Sequence, residues 1–161
     1  MRAFQGCPKH GCFGQSLQGC IHASLKTCFL SSDDGYRVNQ LIAIAAGGAL
    51  GAIARYGVST GVYAVLGRSF PYGTLAVNVI GSLFMGFLYV MLIERLTASP
   101  ELRAVLLIGF LGSFTTFSTF SIETLSLIEQ AELLKAAANI VVSVIFCLLA
   151  SWIGIVIARS F

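Results

Sequence analysis

From Leu41 onward the chain alternates long apolar runs with short polar breaks, and the lengths of those runs fix the kind of architecture it can adopt. The runs cover 41–66, 74–93, 102–128 and 136–158. Each reaches the ~20 residues that a helix needs to cross the hydrocarbon core of a bilayer. The pattern predicts an all-α membrane protein of four transmembrane helices. The breaks between runs hold only about seven to nine residues, so no soluble catalytic domain fits there and any function must be built between helices. Small residues mark the expected packing faces: Gly47 and Gly51 form an i, i+4 ridge on the first helix, and Ser82 and Gly86 form one on the second. Ser99, Pro100 and Glu101 read as a helix start, with a hydroxyl cap, a proline in the first turn and an acid matching the helix dipole.

Composition agrees with the pattern. Of 161 residues, 57% are hydrophobic and only 11% charged, and the mean hydropathy is +0.86; an ordinary soluble domain carries roughly 25% charged residues. A formal net charge of +3, without a basic stripe or an RNA-reading motif, excludes nucleic acid as a partner. No His and no Asp follows Asp34, which leaves no nucleophile-and-base set or metal cluster for an intramembrane enzyme.

The first 37 residues differ in kind. They hold His10 and His22 together with Cys7, Cys12, Cys20 and Cys28. The order lacks the paired C-x2-C spacing of ordinary zinc folds, and no apolar core of ~7–15 residues follows Arg2 or Lys9 as a signal peptide requires. The segment 1–37 is expected to be a disordered or mis-assigned N-terminal extension, with 38–161 as the four-helix transmembrane domain. Flanking charges give little orientation: Arg37, Arg95, Arg103 and Arg159 lie on one side of the predicted membrane, Arg68 and Lys135 on the other. So weak a bias permits insertion both ways round.

Polar residues inside the runs are costly and therefore informative. Arg55 lies within the first run. It either faces a water-filled cavity where an anion is its natural partner, or snorkels to an interface. Glu123, in the third run, could pair with Arg55 or snorkel from the helix end. Asn78 places an amide one turn into the second helix, as a donor aimed into a pore or as interhelical glue. In the third run Gly112-Ser-Phe-Thr-Thr-Phe-Ser-Thr-Phe-Ser121 puts hydroxyls and aromatic rings where Leu and Val would be cheaper. Phe117 and Phe120 share a helix face, flanked by Thr116, Ser118, Thr119 and Ser121. Ring edges carry partial positive charge, so edges, hydroxyls and amides together can coordinate a small anion weakly enough to release it. Gly112, followed by Ser113 and Thr115, is placed either to interrupt the third helix near mid-membrane, freeing carbonyls for a cation, or simply to pack closely in an unbroken helix.

Three motifs in order, Gly-Gly-Ala-Leu-Gly-Ala-Ile-Ala-Arg-Tyr at 47–56, Gly-Thr-Leu-Ala-Val-Asn-Val-Ile-Gly at 73–81 and the 112–121 segment, resemble the Fluc, or CrcB, fluoride-channel family. The resemblance covers 38–161. It implies a dual-topology, antiparallel homodimer in the cell membrane, with two fluoride pores and a structural sodium ion at the dimer centre. By motif position Asn78 is similar to the pore asparagine, Phe117 and Phe120 to the pore phenylalanines, and Arg55 to the vestibule arginine. Gly112 and Thr115 are similar to the residues whose backbone carbonyls hold sodium. Thr74, Ser118, Thr119, Ser121 and Ser143 resemble the family's polar track, with Cys147 where some relatives carry another small polar residue. The implied activity is passive export of fluoride down its electrochemical gradient, which relieves cytoplasmic fluoride toxicity without ATP or proton coupling. The competing reading is a small proton-coupled multidrug exporter. That chemistry resembles one built on a carboxylate in the first helix, where this chain has Arg55.

Overall fold

The computed structural model describes residues 34–95 and 98–161, with side chains from Val38 onward. The Cys- and His-bearing segment, and with it most of the expected 1–37 extension, lies outside the described residues. Helix α1 (Asp34–Leu66) is followed by α2 (Tyr72–Tyr89), which a π-helical turn, Val90–Arg95, prolongs. Next come α3 (Pro100–Arg103), a π-helical stretch Ala104–Leu111, the single turn α4 (Gly112–Phe114), then α5 (Phe117–Glu129) and α6 (Leu133–Ser160). These assemble into four spans long and apolar enough to cross a membrane: Val38–Leu66, Tyr72–Arg95, Pro100–Glu129 and Leu133–Ser160. Gln40–Phe161 form one compact unit.

The predicted caps and ridges explain how the spans meet. The Ser99 Oγ accepts from the Leu102 N–H at 3.3 Å, which satisfies one of the donors a helix start leaves orphaned. Gly67, at φ 77°, ends α1, and its N–H bonds the Tyr63 carbonyl at 3.0 Å. Span one crosses span three at the glycine ridge: a Cβ at Gly47 would run into the Val105 carbonyl oxygen, and one at Gly51 into that of Phe110. Spans two and four pair along much of their length. There Gly86 sits against the Ser151 carbonyl and Gly154 against that of Leu83, and the Ser151 hydroxyl donates to the Ser82 carbonyl at 3.1 Å. Backbone contact of this kind is how helices associate where lipid removes the hydrophobic incentive.

The burial pattern is that of a membrane bundle. Fully buried positions are small or medium-sized, such as Val77, Val90, Leu111 and Ala158. Large side chains including Leu50, Ile53, Phe84, Leu134 and Trp152 lie outside, an apolar surface that a soluble monomer does not expose. At one end Arg159 pairs with Glu94 at 3.3 Å and Arg95 donates to the Arg159 carbonyl at 2.7 Å. These exposed contacts tie spans two and four together at little energetic gain.

Candidate functional site

The third span is where the backbone departs from a helix. Gly112 itself has α torsions, φ −62° and ψ −33°, so the expectation that Gly112 interrupts the helix is corrected in position. The chain leaves the helix at Thr115 (φ −75°, ψ 151°) and Thr116 (φ −147°, ψ 111°), and α5 starts at Phe117. A glycine is not needed, because these are extended torsions that any residue adopts. What the chain needs is partners for the freed amide groups.

Asn78 from α2 supplies them. Its Oδ1 accepts the Thr116 N–H at 2.8 Å and its Nδ2 donates to the Thr116 carbonyl at 3.2 Å. The side-chain amide thus copies a strand-like pair with both backbone groups of one residue and keeps one N–H uncommitted. The Thr116 Oγ1 caps α5 by accepting the Thr119 N–H at 3.3 Å, and it also lies 3.0 Å from the Thr119 hydroxyl and 3.3 Å from that of Ser118. A continuous helix would have sent the Thr116 N–H to Gly112 and the Thr119 N–H to Thr115. Both donors are diverted, so the Gly112 and Thr115 carbonyls lose their helical partners. The Thr115 side chain turns back to the Leu111 carbonyl at 3.0 Å.

Two cavities border this interruption, and a third adjoins one of them. An open groove of about 320 Å³ is walled by Asn78, Thr115, Thr116, Phe117, Phe120 and Ser143, with Cys147 and Ser151 farther along α6. On the other side of Thr116 lies a smaller pocket of about 180 Å³, bounded by Arg55, Tyr56, Ser59, Thr74 and Thr119. Tyr56 and Ser59 also border a third cavity of about 550 Å³ that carries Arg68, Glu123, Glu132 and Lys135. Thr116 thus borders both the groove and the small pocket, and Tyr56 and Ser59 border both the small pocket and the third cavity.

The sequence candidates distribute unevenly among these cavities. Asn78, Phe117, Phe120 and Ser143 line the groove, and Arg55, Thr74 and Thr119 line the pocket. The Phe117 and Phe120 rings sit 5.4 Å apart at 41°, a tilted pair on the groove wall. Ser118 and Ser121 border none of the three cavities. Ser121 donates to the Phe117 carbonyl at 2.9 Å, a bond within its own helix. Glu123 does not pair with Arg55: its Oε1 accepts the Tyr63 hydroxyl at 2.9 Å, while Arg68 stacks 5.6 Å from the Tyr63 ring centroid. The reach of tyrosine across to α5 decides this, and it leaves the Arg55 guanidinium to the small pocket.

Two polar residues that the motifs do not single out complete the site. Asn139 on α6 is only 2% exposed and donates to the Thr124 Oγ1 at 2.8 Å. Thr124 in turn donates to the Phe120 carbonyl at 2.7 Å. A signal for Asn139 exists in the spacing, since Asn139, Ser143 and Cys147 are successive i, i+4 positions and form one polar stripe along α6.

Four apolar helical spans enclosing a polar, partly unwound interior define a multi-pass membrane protein. Residues 42–155 match the model of the family described as CrcB-like protein, Camphor Resistance (CrcB), and the chain belongs to that family. It is 60% identical over 120 residues to a fluoride-specific ion channel of Methylococcus capsulatus, an alignment covering 74% of this chain and 53% of that relative. The chain thus spans about half the length of the Methylococcus protein. Fluoride-specific ion channels of Hydrogenovibrio crunogenus (51% identical, 78% of this chain and 96% of the relative) and Geobacter sulfurreducens (51%, 76% and 99%) match over nearly their whole lengths.

Proposed function

We propose that this protein is a passive, fluoride-selective channel that works as an antiparallel, dual-topology homodimer. The observation that carries the reading is the reciprocal pairing of Asn78 with Thr116. It holds the unwound segment beside the Phe117 and Phe120 rings and leaves one amide hydrogen of a groove-lining residue uncommitted. Fluoride is small and strongly hydrated, so a route for it must replace many water contacts at once. Neutral donors do this without the trapping a fixed cation would cause. Arg55 in the adjoining pocket raises the local concentration of anions and stays out of the groove itself. Homology supports the same assignment, because relatives that align end to end carry the fluoride-specific name.

A second copy is the natural cover for the groove. It is open along one side, and Phe117 is 79% exposed in a single chain, a position that a pore-lining ring cannot keep against lipid. The weak loop-charge bias supports insertion in both orientations, as an antiparallel pair demands. The Gly112 and Thr115 carbonyls, whose helical donors are diverted, would hold sodium, which takes oxygen donors of this kind. Sodium would supply positive charge to carbonyls whose helical donors are diverted. An interruption buried between two copies is also the only kind that mid-membrane depth tolerates.

The test is ion flux. Purified protein in liposomes is expected to release fluoride rapidly and chloride hardly at all, with no proton gradient imposed. Vesicles as tight to fluoride as protein-free ones would overturn the reading, and flux that demanded a proton gradient would favour the exporter.

A further inference from the structure

Resting on that reading, we infer that Asn139 and Thr124 are positioning residues that hold the Ser143 hydroxyl hydrogen away from the conducting groove, so that an anion must compete with Asn139 for it. One group in this network has a fixed role. The Phe120 carbonyl can only accept, so Thr124, 2.7 Å away, must spend its single hydroxyl hydrogen there. Thr124 can then only accept from Asn139, which requires the Asn139 Nδ2 to face it, at 2.8 Å. That choice turns the Asn139 Oδ1 toward Ser143, and an amide oxygen only accepts. In the contact between them, at 3.4 Å, the Ser143 hydroxyl is therefore the donor. One backbone carbonyl thus sets the direction of every bond in the chain.

Ser143 borders the groove together with Asn78 and Phe120. In the resting arrangement it offers that groove lone pairs, which repel an anion. Its bond to Asn139 is the longest of the three, at 3.4 Å against 2.8 and 2.7 Å, and is the one that gives way first. A fluoride ion reaching Ser143 takes the hydrogen by a rotation about one side-chain bond. When it leaves, the hydrogen returns to Asn139. Asn139 is buried and borders none of the three cavities, and Ser143 is the groove-lining side chain it bonds.

The experiment compares fluoride efflux from liposomes at low and at high internal fluoride, and reads the ratio of the two rates. Asn139→Leu removes the competing acceptor, and the low-load rate is expected to rise at least twofold relative to the high-load rate, as tighter holding at Ser143 dictates. Thr124→Val should shift the ratio in the same direction, because Asn139 is then free to turn its amide and offer Ser143 a donor. Both shifts should vanish in a Ser143→Ala background, as coupling through one residue requires. Unchanged ratios in dimeric, conducting single variants, or shifts that persist in Ser143→Ala, would overturn the inference. If Asn139→Leu does not assemble, Thr124→Val with and without Ser143→Ala decides alone. Wild-type flux, measured alongside, tests the channel assignment separately.

Discussion

At the scale of single residues, Asn78 has two duties that one substitution separates. Asn78→Asp keeps an acceptor for the Thr116 N–H but sets a carboxylate oxygen against the Thr116 carbonyl, and it places negative charge on the anion route. Losing the bond and opposing two acceptors costs about 1–3 kcal/mol. The expected outcome is at least a tenfold loss of fluoride efflux in a protein that still elutes as a dimer; undiminished efflux would refute the role. Phe117→Ile and Phe120→Ile remove the ring edges while keeping apolar volume, so flux should fall and assembly persist. Loss of dimers instead would mark the pair as packing. The motifs make Asn78, Phe117, Phe120 and Arg55 legible from sequence, because a polar or charged group inside an apolar run needs a reason. Asn139 is legible only as part of the α6 stripe, and Thr124 is not, since a threonine bonded within its own helix looks like any other. Only the crossing of α5 and α6 shows that an asparagine feeds it.

At the scale of elements, the interruption between α4 and α5 is a joint product of two spans. Local sequence signals locate the unusual third span but put the break at Gly112, because glycine is the usual mark of one. The actual site at Thr115 and Thr116 is chosen by Asn78, which lies 38 positions away in the chain, and no local pattern carries that information. Gly81 supports the same junction from α2. A Cβ there would strike the Thr115 Cγ2 and come within 3.1 Å of the Phe114 ring. Gly81→Ala is therefore expected to destabilise the protein by about 1–3 kcal/mol, the usual penalty of overpacking. Thermal unfolding in detergent, in sodium and in a large organic cation, measures it. Sodium should raise the midpoint of the wild type and raise that of Gly81→Ala less, because the displaced Thr115 carbonyl no longer fits the ion; an equal sodium effect in both would argue against the carbonyl site. Thr116→Val removes the α5 cap and should cost about 0.5–2 kcal/mol in the same assay.

At the scale of the whole molecule, glycines hold the bundle together where side chains cannot. Gly86 and Gly154 each face a carbonyl of the opposite span, so Gly154→Val is expected to separate spans two and four. Size-exclusion chromatography should then show aggregated protein. The four spans, the glycine ridges and the Ser99 cap are all readable from run lengths and small-residue spacing, since the bilayer constrains length and lipid constrains packing. Assembly is a property of two chains. Light scattering of the purified protein in detergent should give twice the chain mass, and a strictly monomeric, conducting species would remove the case for a shared groove.

The two-point attachment of Asn78 to Thr116 also says which parts of the conduit can move. A carboxamide pinned at both ends cannot swivel to accompany a traveller, so it serves as a fixed landing stage. Whatever handing-on occurs must fall to lighter parts, hydroxyl rotors and tilting rings, whose excursions take picoseconds to nanoseconds. Passage through such a channel would then be limited by shedding and regaining water at its two ends, and replacing water with heavy water should slow it more than stiffening the surrounding lipid does.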